Sequence, residues 1–213
     1  MKRSTRGVLV ATVALGIGLG FAACGNEDGT QPSGSSSSMP GMNHSTMDPT
    51  TAGTDTASVD HNQADVQFAT MMIPHHRQAV EMADLALKKA SNPTVKQLAT
   101  AVKGAQDPEI QQMSAWLTGW GQMVPTPGMG HSMPTGQGMM TEKEMTALDK
   151  SSGAAFDRMW VQMMIKHHQG AIAMAKTEHG SGQSTTATAL AKQIETGQTA
   201  EIATMQNLLS HLK

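Results

Sequence analysis

The chain contains two copies of one helical pattern, and each copy carries paired methionines followed by paired histidines. The first copy reads MMIPHH from Met71 to His76, and the second reads MMIKHH from Met163 to His168. A constant shift of 92 residues, the difference between 71 and 163, relates the two copies. The shift also pairs flanking positions: Asp65 with Asp157, Phe68 with Trp160, Ala79 with Ala171, and Met82 with Met174.

A second helix is duplicated by the same shift. Its equivalent pairs are Leu98 and Leu190, Val102 and Ile194, Gln106 and Gln198, Glu109 and Glu201, Met113 and Met205, and Leu117 and Leu209. Each unit is therefore a predicted helical hairpin of roughly sixty residues, longer than a common solenoid repeat. A short connection makes the two helices of a hairpin antiparallel neighbours. The sequence predicts an all-α fold, an antiparallel four-helix bundle made of two duplicated hairpins.

Capping and turn residues predict where the helices begin and end. Pro93 suits a first helical turn and Asn92 can cap it, while Thr141 begins a capped start. Pro74 lies inside the first helix, where it should bend the axis. The predicted helices are about 62–90, 94–119, 141–149, 152–178 and 185–212. The bundle is predicted over 60–213, with hairpins at 60–120 and 141–213 and a Met-rich link at 121–140.

The N-terminus has the pattern of an exported lipoprotein. Three basic residues precede an apolar stretch, residues 8–23, that is too short to span a membrane comfortably and ends at Cys24. We therefore predict a signal peptide over 1–23 and lipidation of Cys24, which would anchor the protein to the outer face of the cell membrane. Phe21 departs from the usual leucine, and an ordinary secretory signal is the alternative.

The composition after the signal indicates a tether and an acidic domain. Residues 24–59 are rich in Ser, Thr and Gly with almost no large apolar side chain, which predicts a disordered tether. Loss of the three basic signal residues leaves 12 of 15 basic residues against 17 acidic ones, a formal charge of −5. This balance argues against nucleic acid as a partner and favours cations.

Polar side chains occupy positions that helical spacing predicts to face the interior of the bundle. Counting from the hairpin turns places His75 beside Glu109, and His167 beside Glu201, in a layer shared with two glutamines. His76 and His168 are one position off this stripe, so they are either a second ligand pair at the bundle flank or solvated. A buried Glu–His pair without any ion is the simpler interpretation of the central layer.

Methionine is abundant both in the helices and in the segments between them. Helical methionines can simply fill an irregular core, which is the favoured role for Met82, Met113, Met174 and Met205. Methionines in flexible polar segments gain little from burial, so those in the tether and the link favour coordination. Thioethers prefer Cu(I), and imidazole also accepts Cu(II). The candidate metal ligands are Met42, His44, Met71, Met72, His75, His76, Met82, Glu109, Met113, Met129, His131, Met133, Met163, Met164, His167, His168, Met174, Glu201 and Met205.

These residues resemble the bacterial domain of unknown function numbered 305. The resemblance rests on the duplicated HH-x-x-A-x-x-M pattern followed by Q-x-x-E-I-x-x-M, and it covers about residues 60–213. It implies a ferritin-like four-helix bundle and a copper-binding role in the cell envelope. Pro74 has no counterpart in the second copy, where Lys166 stands.

Three functions are compatible with this pattern. The first is a lipid-anchored copper-binding protein that sequesters copper, Cu(I) in preference to Cu(II), or passes it to another copper-handling envelope protein. The second is a ferritin-like di-metal oxidase built on His75, Glu109, His167 and Glu201. The third is an interaction module that uses Met and His only for packing. Because no nucleophile stands with a base at motif spacing, the sequence favours a binding protein over an enzyme.

Overall fold

The protein is described here by a computed structural model that covers residues 60–127 and 137–212. Five α-helices and no strands occur in these two ranges, which confirms the predicted all-α bundle. No helix within them is long and apolar enough to cross a membrane. The helices are α1 (Gln63–Lys89), α2 (Pro93–Gly119), α3 (Glu142–Lys150), α4 (Gly153–Ser181) and α5 (Thr185–His211).

Side-chain caps define the helix starts. The Asn62 side chain accepts hydrogen bonds from the Ala64 and Asp65 amides, and the Asp65 carboxylate accepts one from the Asn62 amide. Asn92 caps α2, and Thr141 forms the expected capping box at the start of α3. These contacts satisfy amide groups that the first turn of a helix leaves without partners.

One helix extends further than its sequence suggests, and two helices contain a proline. α4 continues to Ser181 instead of ending at 178, because the turn that follows is held by a side chain of α1 and not by the glycines at its end. α1 passes Pro74 without interruption, and the proline ring is buried. α2 also continues through a proline, Pro108, which is exposed.

The hairpins pack against each other through α1 and α4. These two helices are in extensive contact, whereas α2 and α5 touch at few points. Large side chains fill the interface, and the Trp160 indole donates a hydrogen bond of 2.8 Å to the Met82 carbonyl. The bundle is therefore closed along α1 and α4 and looser along α2 and α5.

Two buried aspartates tie each hairpin to the turn of the other. Asp65, near the start of α1, accepts hydrogen bonds from the Gln183 amide at 3.1 Å and the Ser184 amide at 3.0 Å. Asp157, near the start of α4, accepts them from the Ser91 amide at 3.1 Å, the Asn92 amide at 2.9 Å and the Ser91 hydroxyl. This exchange requires α1 and α4 to run antiparallel.

Glu178 breaks the symmetry of this arrangement. It is buried beside Asp65, and a Cβ added at Gly182 would lie 2.3 Å from Glu178 Oε1 and 2.8 Å from Asp65 Oδ1. Burial raises the pKa of Glu178 to about 8, and its hydrogen bond to Asp65 and the Asp65 charge add to the rise. No donor in the described ranges reaches its oxygens, so the site favours the neutral form of this carboxyl.

Candidate metal centre

Four histidines of α1 and α4 meet in the interior of the bundle. His75 is 2% exposed, and His76, His167 and His168 are fully buried. The ring centroids of His75 and His167 are 3.8 Å apart with a tilt of 40°. Antiparallel packing of α1 and α4 thus brings the two repeated histidine pairs together.

The carboxylates contact the second histidine of each pair. His76 Nε2 donates to Glu109 Oε2 at 2.7 Å, and His168 Nε2 donates to Glu201 Oε2 at 2.7 Å. The prediction that paired Glu109 with His75 and Glu201 with His167 is therefore wrong. Within the described residues, the His and Glu side chains expected for a di-metal oxidase do not come together in a group of three or more.

The expected position of His76 and His168 at the bundle flank is also wrong. α1 packs against α4 on one side and α2 on the other, and α4 likewise lies between α1 and α5. The buried face of each helix is therefore wide enough to include two adjacent positions. One histidine of each pair reaches the opposite hairpin, and the next reaches the carboxylate of its own hairpin.

The two described ends of the link are fastened to α1 beside this cluster. His75 Nε2 donates to the Gln137 carbonyl at 3.0 Å, and Arg77 Nη1 donates to the Pro125 carbonyl at 2.5 Å. Gln78 binds the Met140 backbone twice, through its Nε2 at 2.9 Å and its Oε1 at 2.7 Å. Sequence analysis missed these contacts. The available signal was a difference between the copies, because Arg77 and Gln78 correspond to Gln169 and Gly170.

The link also passes directly against α4. Gly170 is the counterpart of Gln78, and a Cβ at this position would lie 1.5 Å from the Gln137 carbonyl oxygen. The same Cβ would lie 2.2 Å from the Gln137 carbonyl carbon. Only glycine permits this approach, so Gly170 determines where the carbonyl bound to His75 can lie.

Substitution of Gly170 by alanine is expected to destabilise the protein by about 2 kcal/mol, because the methyl group forces the link away from α4. Gly104→Ala is the matched control, since its Cβ would meet nothing within 4 Å. Alanine there should stabilise α2 by roughly 0.5–1 kcal/mol. Urea unfolding of both variants measures the two effects, and equal behaviour would show that the link does not press on Gly170.

Each histidine keeps a buried ring nitrogen without a protein partner. His75, His76 and His168 use Nε2 for the hydrogen bonds above and leave Nδ1 without a partner in the described ranges. Neither nitrogen of His167 has a partner there. Metal-bound histidines have this pattern, because an acceptor on one nitrogen orients the ring and leaves the other nitrogen for the ion.

The electrostatics of the cluster favour neutral imidazoles. Burial, together with the His76 charge, lowers the pKa of His75 to about 3. Burial and the His75 charge hold the pKa of His167 well below its ordinary value. A neutral ring keeps a lone pair on its free nitrogen, which is the form that binds metals. Within residues 60–127 and 137–212, no three His, Cys, Asp or Glu side chains lie close enough together to form a ligand shell.

The buried helical methionines belong to two separate apolar clusters. Met72 is fully buried in an apolar cluster with Met113 and Met174, and Met164 is fully buried in another with Met82 and Met205. Met71 and Met163 are partly exposed. A cavity of about 80 Å³ brings together side chains that are distant in sequence: Met71, Gln137, Met174 and Glu178 are among those that line it.

Several predicted site residues lie outside the described residues. They belong to the predicted signal peptide, the predicted tether and the middle of the link, and they are Cys24, Met42, His44, Met129, His131 and Met133.

Fold and site together define a duplicated helical-hairpin bundle with four interior histidines, two of them bound to glutamates. The family model of the domain of unknown function DUF305 matches residues 65–209, and the chain belongs to this family. The predicted family is thus confirmed.

Solved structures of the same family have the same fold. A DUF305 protein of Streptomyces coelicolor, proposed to be secreted, is 31% identical with a TM-score of 0.63, covering 70% of this chain and 93% of its own. A DUF305 fragment of Deinococcus radiodurans is 33% identical with a TM-score of 0.63, covering 71% and 98% respectively.

The protein CopM is also similar. Its Cu(II)-bound form is 33% identical with a TM-score of 0.61, covering 70% of this chain and 97% of CopM. CopM has also been solved in Cu(I)-bound, silver-bound and apo forms. A shorter similarity, 38% identity over 53 residues, links 25% of this chain to 35% of uncharacterised protein L153 of Acanthamoeba polyphaga mimivirus.

Proposed function

We propose that the protein binds copper outside the cytoplasmic membrane and sequesters it or passes it on through His and Met ligands. The observation that carries the proposal is the group of four buried histidines with free ring nitrogens. Leaving such nitrogens without partners costs about 1–3 kcal/mol each, which a bound ion offsets. The similarity to copper-bound CopM supports copper as the ion.

The histidines and glutamates have different roles in this proposal. Glu109 and Glu201 orient His76 and His168 through Nε2, which leaves Nδ1 of each ring for copper. His75 is oriented by the Gln137 carbonyl, and neither nitrogen of His167 is bound to a described residue. His167 is therefore a further copper ligand in this proposal, through either ring nitrogen.

The methionines give the site its preference for Cu(I). Thioether sulfur is a soft, neutral ligand, so Met71, Met72, Met163 and Met164, next to the histidines in sequence, favour Cu(I) over Cu(II). We propose Met82, Met113, Met174 and Met205 as further sulfur contacts deeper in the bundle. Met42, His44, Met129, His131 and Met133 would capture copper from solution and transfer it to the histidines.

Export and anchoring complete the proposal. Lipidation of Cys24 would hold the bundle at the outer face of the cell membrane, with residues 25–59 as the tether. There the protein would limit free copper or deliver it to another copper-handling envelope protein. The similarity to a family member proposed to be secreted supports this location.

Copper titration of the chain beginning at Gly25 tests the proposal. With Cu(I) under a competing chelator, several equivalents are expected to bind, and the melting temperature should rise. Free copper at one hundred times the dissociation constant stabilises the protein by about 2.7 kcal/mol. A triple variant, Met129→Ser, His131→Ser and Met133→Ser, is expected to bind fewer copper equivalents than the unaltered protein. The number lost measures the contribution of the link. Absence of chelator-resistant binding by the unaltered protein would overturn the proposal.

A further inference from the structure

A small polar cavity lies where α2 and α5 face each other. Its volume is about 50 Å³, and its polar lining includes two glutamates and two glutamines: Gln106, Glu109, Gln198 and Glu201. Gln106 is equivalent to Gln198, and Glu109 to Glu201, under the 92-residue shift, so each hairpin contributes one member of each pair. Gln193 of α5 lines the cavity as well. The duplication has thus built one shared cavity from two copies of the same helix face.

The glutamine side chains in this cavity have no adequate protein partners. Gln106 is 2% exposed, and neither its Oε1 nor its Nε2 has a partner in the described ranges. Gln198 is 5% exposed, and its Oε1 also has no partner there. Because unpartnered buried amides destabilise a fold by about 1–3 kcal/mol each, their repetition in both hairpins indicates a ligand.

The glutamates connect the cavity to solvent. Glu109 and Glu201 keep 20% and 24% of their side-chain surface exposed. Each commits Oε2 to a histidine and keeps Oε1 for another partner. α2 and α5 touch at few points, so an ion can enter between them without disrupting the α1 and α4 interface.

We propose that this cavity binds a divalent cation that prefers oxygen ligands, through the carboxylates of Glu109 and Glu201 and the amide oxygens of Gln106 and Gln198. Carboxylate and amide oxygens are the ligands of Mg²⁺, Ca²⁺ and Mn²⁺, and the cavity lining contains no sulfur. Two carboxylates balance the charge of one divalent ion. Since one water requires roughly 10–15 Å³, the cavity also has room for part of the ion's hydration shell.

This cation site is distinct from the proposed copper ligands. The cavity is lined by the glutamates that bind Nε2 of His76 and His168, whereas the proposed copper ligand of each ring is the other nitrogen, Nδ1. Binding of a hard cation therefore does not depend on copper binding. Each function can fail alone.

Titration with Mn²⁺ alone, monitored by the electron paramagnetic resonance signal of the free ion, tests the inference on the full chain. One Mn²⁺ is expected per chain, and excess Ca²⁺ should displace it. The double variant Gln106→Leu/Gln198→Leu should weaken Mn²⁺ binding by about tenfold or more. The same variant should retain the Cu(I) equivalents of the unaltered protein, because neither glutamine is among the proposed copper ligands.

The matched control is Gln111→Leu/Gln206→Leu, which changes two exposed glutamines on the same helices. It should bind Mn²⁺ like the unaltered protein. Melting curves without metal establish that both double variants fold. The inference is overturned if the unaltered protein binds no stoichiometric Mn²⁺, which would leave the cavity to water, or if the cavity variant binds Mn²⁺ as tightly as the control. Failure of Cu(I) binding alone would overturn only the copper proposal.

Discussion

Replacement of His167 by leucine is expected to stabilise the copper-free protein and to reduce its stabilisation by copper. His167 is fully buried, and neither ring nitrogen has a partner in the described part of the chain. Leucine is similar in size and removes two unpartnered polar atoms, for a gain of about 2 kcal/mol. For a domain of this size the gain corresponds to roughly 4–8 °C in melting temperature. Calorimetry with and without Cu(I) measures both effects.

The effect of His167→Leu should increase as the pH falls. The folded pKa of His167 lies well below its ordinary value of 6.5, so below pH 6.5 the unfolded chain binds a proton that the folded protein does not. The unaltered protein therefore loses up to about 1.4 kcal/mol per pH unit from this group as the pH drops below 6.5. The variant lacks this loss, so its advantage should be larger at pH 5 than at pH 7.

His179→Leu provides the control for this experiment, because His179 is an exposed histidine on the same helix. It should change neither the copper-free stability nor the response to copper. A His167→Leu protein that is less stable than the control would mean that His167 contributes to folding itself. Full retention of the copper response would remove His167 from the ligand set.

Replacement of Asp157 by alanine is expected to destabilise the protein by about 3–5 kcal/mol. The variant leaves the Ser91 amide, the Asn92 amide and the Ser91 hydroxyl without their charged acceptor. Hydrogen bonds to a charged group contribute about 1.5–3 kcal/mol each, and part of this loss is recovered by water. Urea unfolding should show a much lower midpoint, and Asp65→Ala should behave similarly at the other hairpin turn.

Asp84→Ala is the matched control for the aspartate variants. Asp84 forms a solvent-exposed ion pair with Lys103 at 3.6 Å, an interaction that contributes at most about 1 kcal/mol. Its midpoint should therefore stay close to that of the unaltered protein. Equal midpoints for Asp84→Ala and Asp157→Ala would show that the hairpin turns are not held by the buried aspartates.

The helices and their arrangement were predictable because their signals are local and repeated. Asn62, Asn92 and Thr141 act as helix caps through contacts within a few residues of sequence. The constant 92-residue shift reveals the duplication directly, and the short turns make the two helices of each hairpin antiparallel. Fold class and family could therefore be predicted before any coordinates.

The partners of the histidines were not predictable in the same way. An α-helix turns by about 100° per residue, so His75 and His76 point in clearly different directions, and a helix that packs against two neighbours can bury both. Which of them faces Glu109 depends on how α2 is rotated about α1, and no local signal specifies this angle. The Gln137 contact is harder still, because it joins residues 62 apart in sequence.

The sequence by itself determined that the chain forms four long helices in two equivalent hairpins, since periodicity and caps are properties of neighbouring residues. It also determined that histidine, methionine and carboxylate groups recur together. Only the tertiary structure decided that His76 and His168 bind the glutamate carboxylates. It also decided that Asp65 and Asp157 bind the turn of the opposite hairpin, and that the link packs closely against Gly170. Each of these contacts depends on the rotation and depth of one helix against another, which the packing of the whole interior sets.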